Sequence, residues 1–249
     1  MTSSERGRPV ALVTGAARRI GATIARRLHA EGYDLALHCR HSRAELDALV
    51  AELDDVRAAS TLALEADLGD VSTLGALIAA TIARFGRLDA LVNNASAFYP
   101  TPVGATTLAE WEDLFGANVR APYFLAQAAA PHLASRRGAI VNLVDIYAER
   151  PLARHAVYSM SKAALAMMTK ALARELGPSV RVNGVAPGAV LWPDADKPTA
   201  DRDDLIARTP LARIGSPDDV ASAVVWLIGD ASFVTGEIVR VDGGRGVVI

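Results

Sequence analysis

Short apolar and β-branched runs alternate along this chain with longer stretches in which apolar residues recur every three or four positions. The runs lie at Val10–Thr14, Asp34–His38, Thr61–Glu65, Ala90–Asn93, Ala139–Val144, Val180–Ala186 and Ile238–Val241, and each ends in turn residues. The stretches of helical period between them are Arg19–Ala30, Ala44–Leu53, Val71–Arg84, Leu108–Ser135, Val157–Leu176 and Pro217–Leu227. Strand and helix in regular alternation are the signature of βαβ units and a parallel sheet. Runs such as "IVNLV" are continuously apolar, so the sheet is expected to be covered on both faces.

No repeat or low-complexity linker divides the chain, and 249 residues suit one large core. The expectation is a single α/β domain over residues 1–249 that both binds a dinucleotide and carries the catalytic groups. The least regular part, Pro187–Asp204, is rich in Pro and Asp and follows the sixth run. Open α/β sheets take ligands beyond the carboxyl ends of their strands, so a substrate lid over 187–208 is expected there.

Composition narrows the function. Hydrophobic residues make up 51% of the chain and charged residues 22%, as in a globular protein. A net charge of −2 offers no global field for nucleic acid or an anionic membrane, so any anion site must be local. Cys39 is the single cysteine, which excludes an intramolecular disulfide and a cysteine-based metal cluster. The N-terminal stretch lacks an apolar leader, and no apolar run reaches bilayer-spanning length. A cytoplasmic, membrane-independent protein is expected.

Candidate chemistry begins at "VTGAARRIG". Gly15 and Gly21 stand between the first strand and the first helix, where glycine admits a ligand to the backbone and the helix N-terminus favours a diphosphate. After the second strand, "LHCRHS" has no acid to hold a ribose diol and offers His38, Arg40, His41 and Ser42 instead, with Arg19 in the turn nearby. A cation about 4 Å from a 2′-phosphate gains roughly 4 kcal/mol at an effective dielectric near 20, which points to NADPH. Asp67, ending the third strand, is a candidate partner for the adenine amino group. Tyr158 and Lys162 in "YSMSK" fall on one helix face, where an ammonium is expected to lower the phenol pKa. His29, His132 and His155 show no partner pattern or metal-ligand spacing, and no metal is expected.

"TGAARRIG", "LVNNAS", Asn118–Val119, "YSMSK", "VNGVAPG" and "VTGEIVRVDGG" follow the order of the short-chain dehydrogenases/reductases, which the chain resembles over nearly its whole length. The resemblance implies a single-domain Rossmann fold: a doubly wound, seven-stranded parallel sheet of order 3-2-1-4-5-6-7, usually assembled as a homotetramer. It also implies that Asn118 holds a water in a proton relay and that Lys162 grips the nicotinamide ribose. The candidate cofactor set is Gly15, Arg19, Ile20, Gly21, His38, Arg40, His41, Ser42, Asp67, Leu68, Asn94, Ala95, Ser96, Lys162, Pro187 and Gly188.

Three departures sharpen the resemblance. Arg19 and Ser96 stand where most members have glycine, and Asp145 stands where most have a catalytic serine. All three recur in the family's pteridine reductases, which the chain resembles in "NNASAFYPTP" and "NLVDIYAERP". A serine hydroxyl donates to a developing oxyanion, whereas an ionised carboxylate repels it. An acid suits a C=N bond, whose nitrogen must gain a proton after hydride arrives. The expected activity is NADPH-dependent reduction of a pterin or folate, with Asn118, Asp145, Tyr158 and Lys162 catalytic. Arg19, Ser96, Phe98, Asp145, Tyr158 and Trp192 would meet the substrate, Phe98 by stacking; Ser96 could serve the pterin edge or the cofactor phosphate. Dihydromonapterin reduction, other carbonyl or alcohol chemistry, and a non-catalytic dinucleotide sensor are the alternatives. For Asp145 itself, the alternative is a structural cap on the segment that follows.

Overall fold

All seven apolar runs become parallel strands hydrogen-bonded in the order β3-β2-β1-β4-β5-β6-β7. They are β1 (Val10–Val13), β2 (Asp34–Cys39), β3 (Thr61–Glu65), β4 (Ala90–Asn93), β5 (Ala139–Leu143), β6 (Arg181–Pro187) and β7 (Ile238–Val241). A computed structural model describes residues 7–190 and 199–248 of the chain. The helices are α1 (Arg19–Ala30), α2 (Arg43–Val56), α3 (Val71–Phe85), α4 (Leu108–Phe115), α5 (Ala121–Ala134), α6 (Ala156–Leu176), α7 (Thr199–Ala207) and α8 (Pro217–Gly229).

The pleat divides β1 between two cores. Ala11 and Val13 point into a layer built with Ile24 and Leu28 of α1, Leu46, Leu49 and Leu53 of α2, and Val220, Val224 and Leu227 of α8. Val10 and Leu12 point into the opposite layer, with Leu74, Leu77 and Ile78 of α3, Leu125 and Leu133 of α5, and Leu165 and Leu172 of α6. Each helix contributes residues on one face, spaced by one turn or two, as an apolar stripe requires. Central strands buried on both faces account for the continuously apolar runs.

Two elements differ from expectation. The stretch Leu108–Ser135 is not one helix: a π-turn at Gly116–Arg120 separates α4 from α5. Its cause is non-local, because Asn118 lies at the centre of that turn and its amide is tied to other segments, as set out below. Within 187–208, Thr199–Ala207 is helical rather than irregular. Residues 191–198, including the pocket candidate Trp192, lie outside the described residues. No helix among the described residues is long and apolar enough to cross a membrane.

The order of the sheet reverses at β1, whose neighbours are β2 and β4. The segments following β1, β4 and β5 therefore meet at one carboxyl edge, where open sheets bind their ligands.

Candidate active site

The turn after β1 is braced from behind. Thr14 Oγ1 accepts from the backbone N–H groups of Asn94 and Ala95, each at 3.0 Å. Asn94 Nδ2 donates to the carbonyls of Thr14 and Gly15 at 2.9 Å. Gly15 has φ +62, and a Cβ on Gly21 would lie 2.1 Å from the Gly15 carbonyl oxygen. The first glycine is needed for its backbone conformation and the second for close packing of α1 on the turn. Arg19 has φ +55, the left-handed region that favours glycine, so an arginine there costs on the order of 1 kcal/mol or more. Such strain is consistent with a side chain retained for use.

A cleft of about 670 Å³ opens over this turn, lined by Gly15, Arg19, Ile20 and Gly21 on one side and by His38, Arg40, His41, Ser42, Asp67 and Leu68 on another. Asn94, Ala95 and Ser96 complete the wall from β4. The N-terminus of α1 has no side-chain cap and no acid in its first turn, which leaves its dipole end available to an anion. Cleft size, arginine-rich lining and uncapped helix together fit a dinucleotide.

His38 does not present a charge to that cleft. It is 1% exposed, its Nδ1 accepts from Gly15 N–H at 3.3 Å, and its Nε2 donates to the Ala66 carbonyl at 3.1 Å. Burial holds its pKa below the usual imidazole value, so the ring is a neutral brace for the glycine turn, contrary to the cation expected there. Arg40 remains on the wall, but with Nη2 2.9 Å from Asp67 Oδ2 and Nη1 4.0 Å from Asp113 Oδ1. Pro187 and Gly188 lie at the end of β6, where Gly188 N–H donates to Val241. They are not on the wall of this cleft.

Asn118 links the cleft to the helix that carries the tyrosine. Its Oδ1 accepts from Ala97 N–H and Ser96 Oγ at 2.9 Å, and its Nδ2 donates to the Ala97 carbonyl at 3.0 Å and to Ser161 Oγ at 2.9 Å. Ser161 Oγ in turn donates to the Tyr158 carbonyl at 2.7 Å. The amide is fully satisfied in a fully buried place, which explains why the helix widens into a π-turn around it. Ser161 escaped the sequence reading; its one cue was the position three residues after Tyr158.

Asp145 leaves β5 and uses both oxygens. Oδ1 accepts from Tyr147 N–H at 2.9 Å, capping the 3-10 turn Ile146–Ala148, and Oδ2 accepts from the Tyr158 hydroxyl at 2.7 Å. One carboxylate thus caps the following turn and also meets the Tyr158 hydroxyl. Burial pushes its pKa up, opposed by Tyr147 N–H, the Tyr158 hydroxyl and the Lys162 charge. Lys162 is 2% exposed, with Nζ donating to the Leu143 carbonyl at 2.8 Å and standing 5.7 Å from the Tyr158 ring centre. Burial lowers its pKa to about 8. The tyrosine corrects an expectation: its pKa is raised, first by burial and then by the adjacent Asp145 charge, not lowered by Lys162. Tyr158 is thus the proton donor in its hydrogen bond to Asp145.

The loop after β4 packs against this group. Phe98 is 52% exposed, with its ring centre 4.7 Å from that of Tyr158 in an edge-on arrangement. Tyr147 packs in the same small cluster as Tyr158, Leu114 and Val157. Burial raises the Tyr147 pKa, an effect that the neighbouring Arg245 charge only partly offsets. The stacking of His155 on Phe98 was not legible in the sequence.

Comparison with known proteins agrees with this geometry. The family profile described as "Enoyl-(Acyl carrier protein) reductase" matches residues 15–245. Pteridine reductase 1 of Leishmania tarentolae is 39% identical, covering 95% of this chain and 96% of that protein. The 3-oxoacyl-(acyl-carrier-protein) reductase FabG of Staphylococcus aureus is 34% identical, covering 94% of this chain and 96% of that one. With a Rossmann sheet, a glycine turn over a dinucleotide-sized cleft and a Tyr158–Lys162 helix, the chain belongs to the short-chain dehydrogenase/reductase family, as an oxidoreductase that works with a nicotinamide cofactor.

Proposed function

We propose that this chain is an NADPH-dependent pteridine reductase, acting on a ring C=N bond of a dihydropterin or dihydrofolate. The observation that carries the reading is the 2.7 Å hydrogen bond from the Tyr158 hydroxyl to the buried Asp145 carboxylate. A hydroxyl at that position donates to a developing oxyanion at every pH, whereas a carboxyl donates only while protonated and repels the oxyanion once ionised. A C=N reducer needs a proton source, and a carboxyl with a raised pKa beside a phenol is one. The similarity to the Leishmania pteridine reductase supports the same class.

A nicotinamide cofactor held in the cleft lined by Gly15, Arg19, Ile20 and Gly21 would supply the hydride. Tyr158 holds a proton at its hydroxyl oxygen and releases it toward the adjacent ring nitrogen. Asp145, in its acid form, returns a proton to that oxygen and spares the buried site a phenolate beside a carboxylate. The positive charge of Lys162, behind the ring, favours the anion that remains. The pair titrates as a unit rather than as two separate groups. Phe98 offers an exposed aromatic face to the flat ring, with Ser96 and Arg19 placed on the cleft wall for its polar edge or the cofactor phosphate.

NADPH rather than NADH fits the basic wall. The Arg40–Asp67 pair is about half exposed on both sides, so it is worth at most about 1 kcal/mol and yields readily to a 2′-phosphate. Exposed Met160 and Met167, two turns apart on α6, suit the helix-to-helix tetramer usual in the family. A substrate lid over 187–208 belongs to the same reading.

The test is a spectrophotometric screen of NADPH oxidation with dihydrobiopterin, dihydromonapterin, dihydrofolate and folate, beside NADH and a simple ketone. Turnover of one of the pterins with NADPH is the expected result. Turnover of the ketone with every pterin ignored would replace this reading with ordinary carbonyl reduction.

A further inference from the structure

We infer that His155 is a positioning residue for substrate: it backs one face of Phe98 so that the other is held as a fixed wall for a flat heteroaromatic ring. The inference rests on the proposed pterin activity and names a residue which that activity does not by itself require.

An aromatic ring that is 52% exposed normally samples several rotamers, and a wandering ring makes a poor stacking platform. Here two contacts restrain it. The His155 imidazole lies parallel to Phe98, with ring centres 4.8 Å apart and planes 12° from one another. Tyr158 meets the same ring edge-on, with planes at 80°. Both partners stand on or beside the first turn of α6, so Phe98 is registered directly against the proton-donating phenol.

The backbone reinforces that registration. Thr101 and His155 form an isolated parallel bridge, in which Thr101 N–H donates to the Arg154 carbonyl at 2.6 Å. Val157 N–H donates to Thr101 Oγ1 at 3.3 Å, and Thr101 is fully buried. Arg154 is held at φ +64, a strained conformation for a non-glycine residue, just before the histidine. The imidazole is itself anchored, since Nδ1 lies 2.9 Å from the Ala153 carbonyl and must carry the proton of that hydrogen bond. The substrate loop is thus stapled at Thr101 to the start of α6, and the His155 ring transmits the staple to Phe98.

An immobilised ring binds a planar ligand more tightly because less rotamer freedom is lost on stacking. The wall itself needs a flat aromatic surface at 155, with the Nδ1 anchor a secondary restraint, so phenylalanine should substitute largely and alanine should not.

The experiment compares wild type with His155→Ala, His155→Phe and Phe98→Ala in three measurements. Fluorescence titration of the NADP⁺-loaded protein with oxidised biopterin should show roughly fivefold weaker binding for His155→Ala, near wild-type binding for His155→Phe, and a larger loss for Phe98→Ala. Steady-state kinetics with a dihydropterin should place the His155→Ala defect in KM, with kcat and the Kd for NADPH within about twofold of wild type. Proton NMR should show the His155 ring protons shifted upfield by Phe98 and returned to ordinary positions in Phe98→Ala. Unchanged biopterin affinity in His155→Ala, absence of rescue by phenylalanine, or a defect confined to kcat overturns the inference. If wild type binds no pterin at all, the proposed activity fails instead, and the ring-current shift alone then decides whether His155 holds Phe98.

Discussion

Replacing Asp145 by Asn changes almost no volume, yet it removes the acid placed against the Tyr158 hydroxyl. Were Tyr158 to release its proton beside an ionised Asp145, two anionic oxygens would stand 2.7 Å apart. At an effective dielectric near 20 that repulsion is roughly 6 kcal/mol, or more than about four decades of rate at about 1.36 kcal/mol per decade. The wild-type carboxyl avoids it by returning a proton; the neutral Asn amide raises no such repulsion but cannot return a proton, so the variant loses the proton-relay share alone. General acid catalysis contributes about 10²–10⁴-fold, so kcat for a dihydropterin should fall by roughly 10³ while the Kd for NADPH stays within about twofold. Folding should not suffer. Because burial raises the Asp145 pKa, its contribution to stability is fully present below the unfolded value and is lost as pH rises through the folded value. The Asn variant carries no such loss, so its Tm at neutral pH should match or exceed wild type, with the gap closing toward acid. By the same sign, wild-type kcat should decline as pH rises through an inflection above the ordinary carboxylate range. Steady-state NADPH oxidation and thermal melts, both followed across pH, supply the readouts. An Asn variant that keeps more than about a third of wild-type kcat, or a wild-type kcat that climbs with pH, refutes the reasoning.

Three further outcomes follow from the same geometry. Arg40→Ala should raise the KM for NADPH about tenfold and leave that for NADH nearly unchanged, a partial loss because the group is half exposed and shared with Asp67; equal effects on both cofactors would remove Arg40 from 2′-phosphate recognition. Arg19→Gly should relieve the strain at φ +55, leaving Tm unchanged or higher, while NADPH binding measured by fluorescence weakens; a fall in Tm without a change in affinity would contradict the functional account of that strain. Ser161→Ala removes a partner of buried Asn118 and should cost about 1–3 kcal/mol by chemical denaturation, with a drop in kcat that Ser161→Thr partly restores; full activity in the Ala variant would show that the network is structural only.

Much of this protein was legible from local pattern. Strands such as Ala139–Leu143 have neighbours on both faces, so continuous apolarity announces them wherever they sit in the sheet. Gly15, Gly21, Tyr158 and Lys162 were readable because their requirements are set within one turn or one helix face. Asn118 was read as a site residue, but the π-turn around it was not, since its cause lies in Ala97, Ser96 and Ser161, distant along the chain. The buried, neutral state of His38 was not legible for the same reason: it depends on Gly15 and Ala66, which occupy both ring nitrogens.

The sequence by itself determined the alternation of strands and helices, the place of the glycine turn and the presence of an acid, Asp145, at the end of the fifth strand. These are properties of periodicity and residue type, which act over a few positions. Only the tertiary structure decided that Asp145 faces the Tyr158 hydroxyl, that burial raises rather than lowers the phenol pKa, and that His155 lies against Phe98. Burial and direction are set by contacts between distant segments, and no local pattern encodes them.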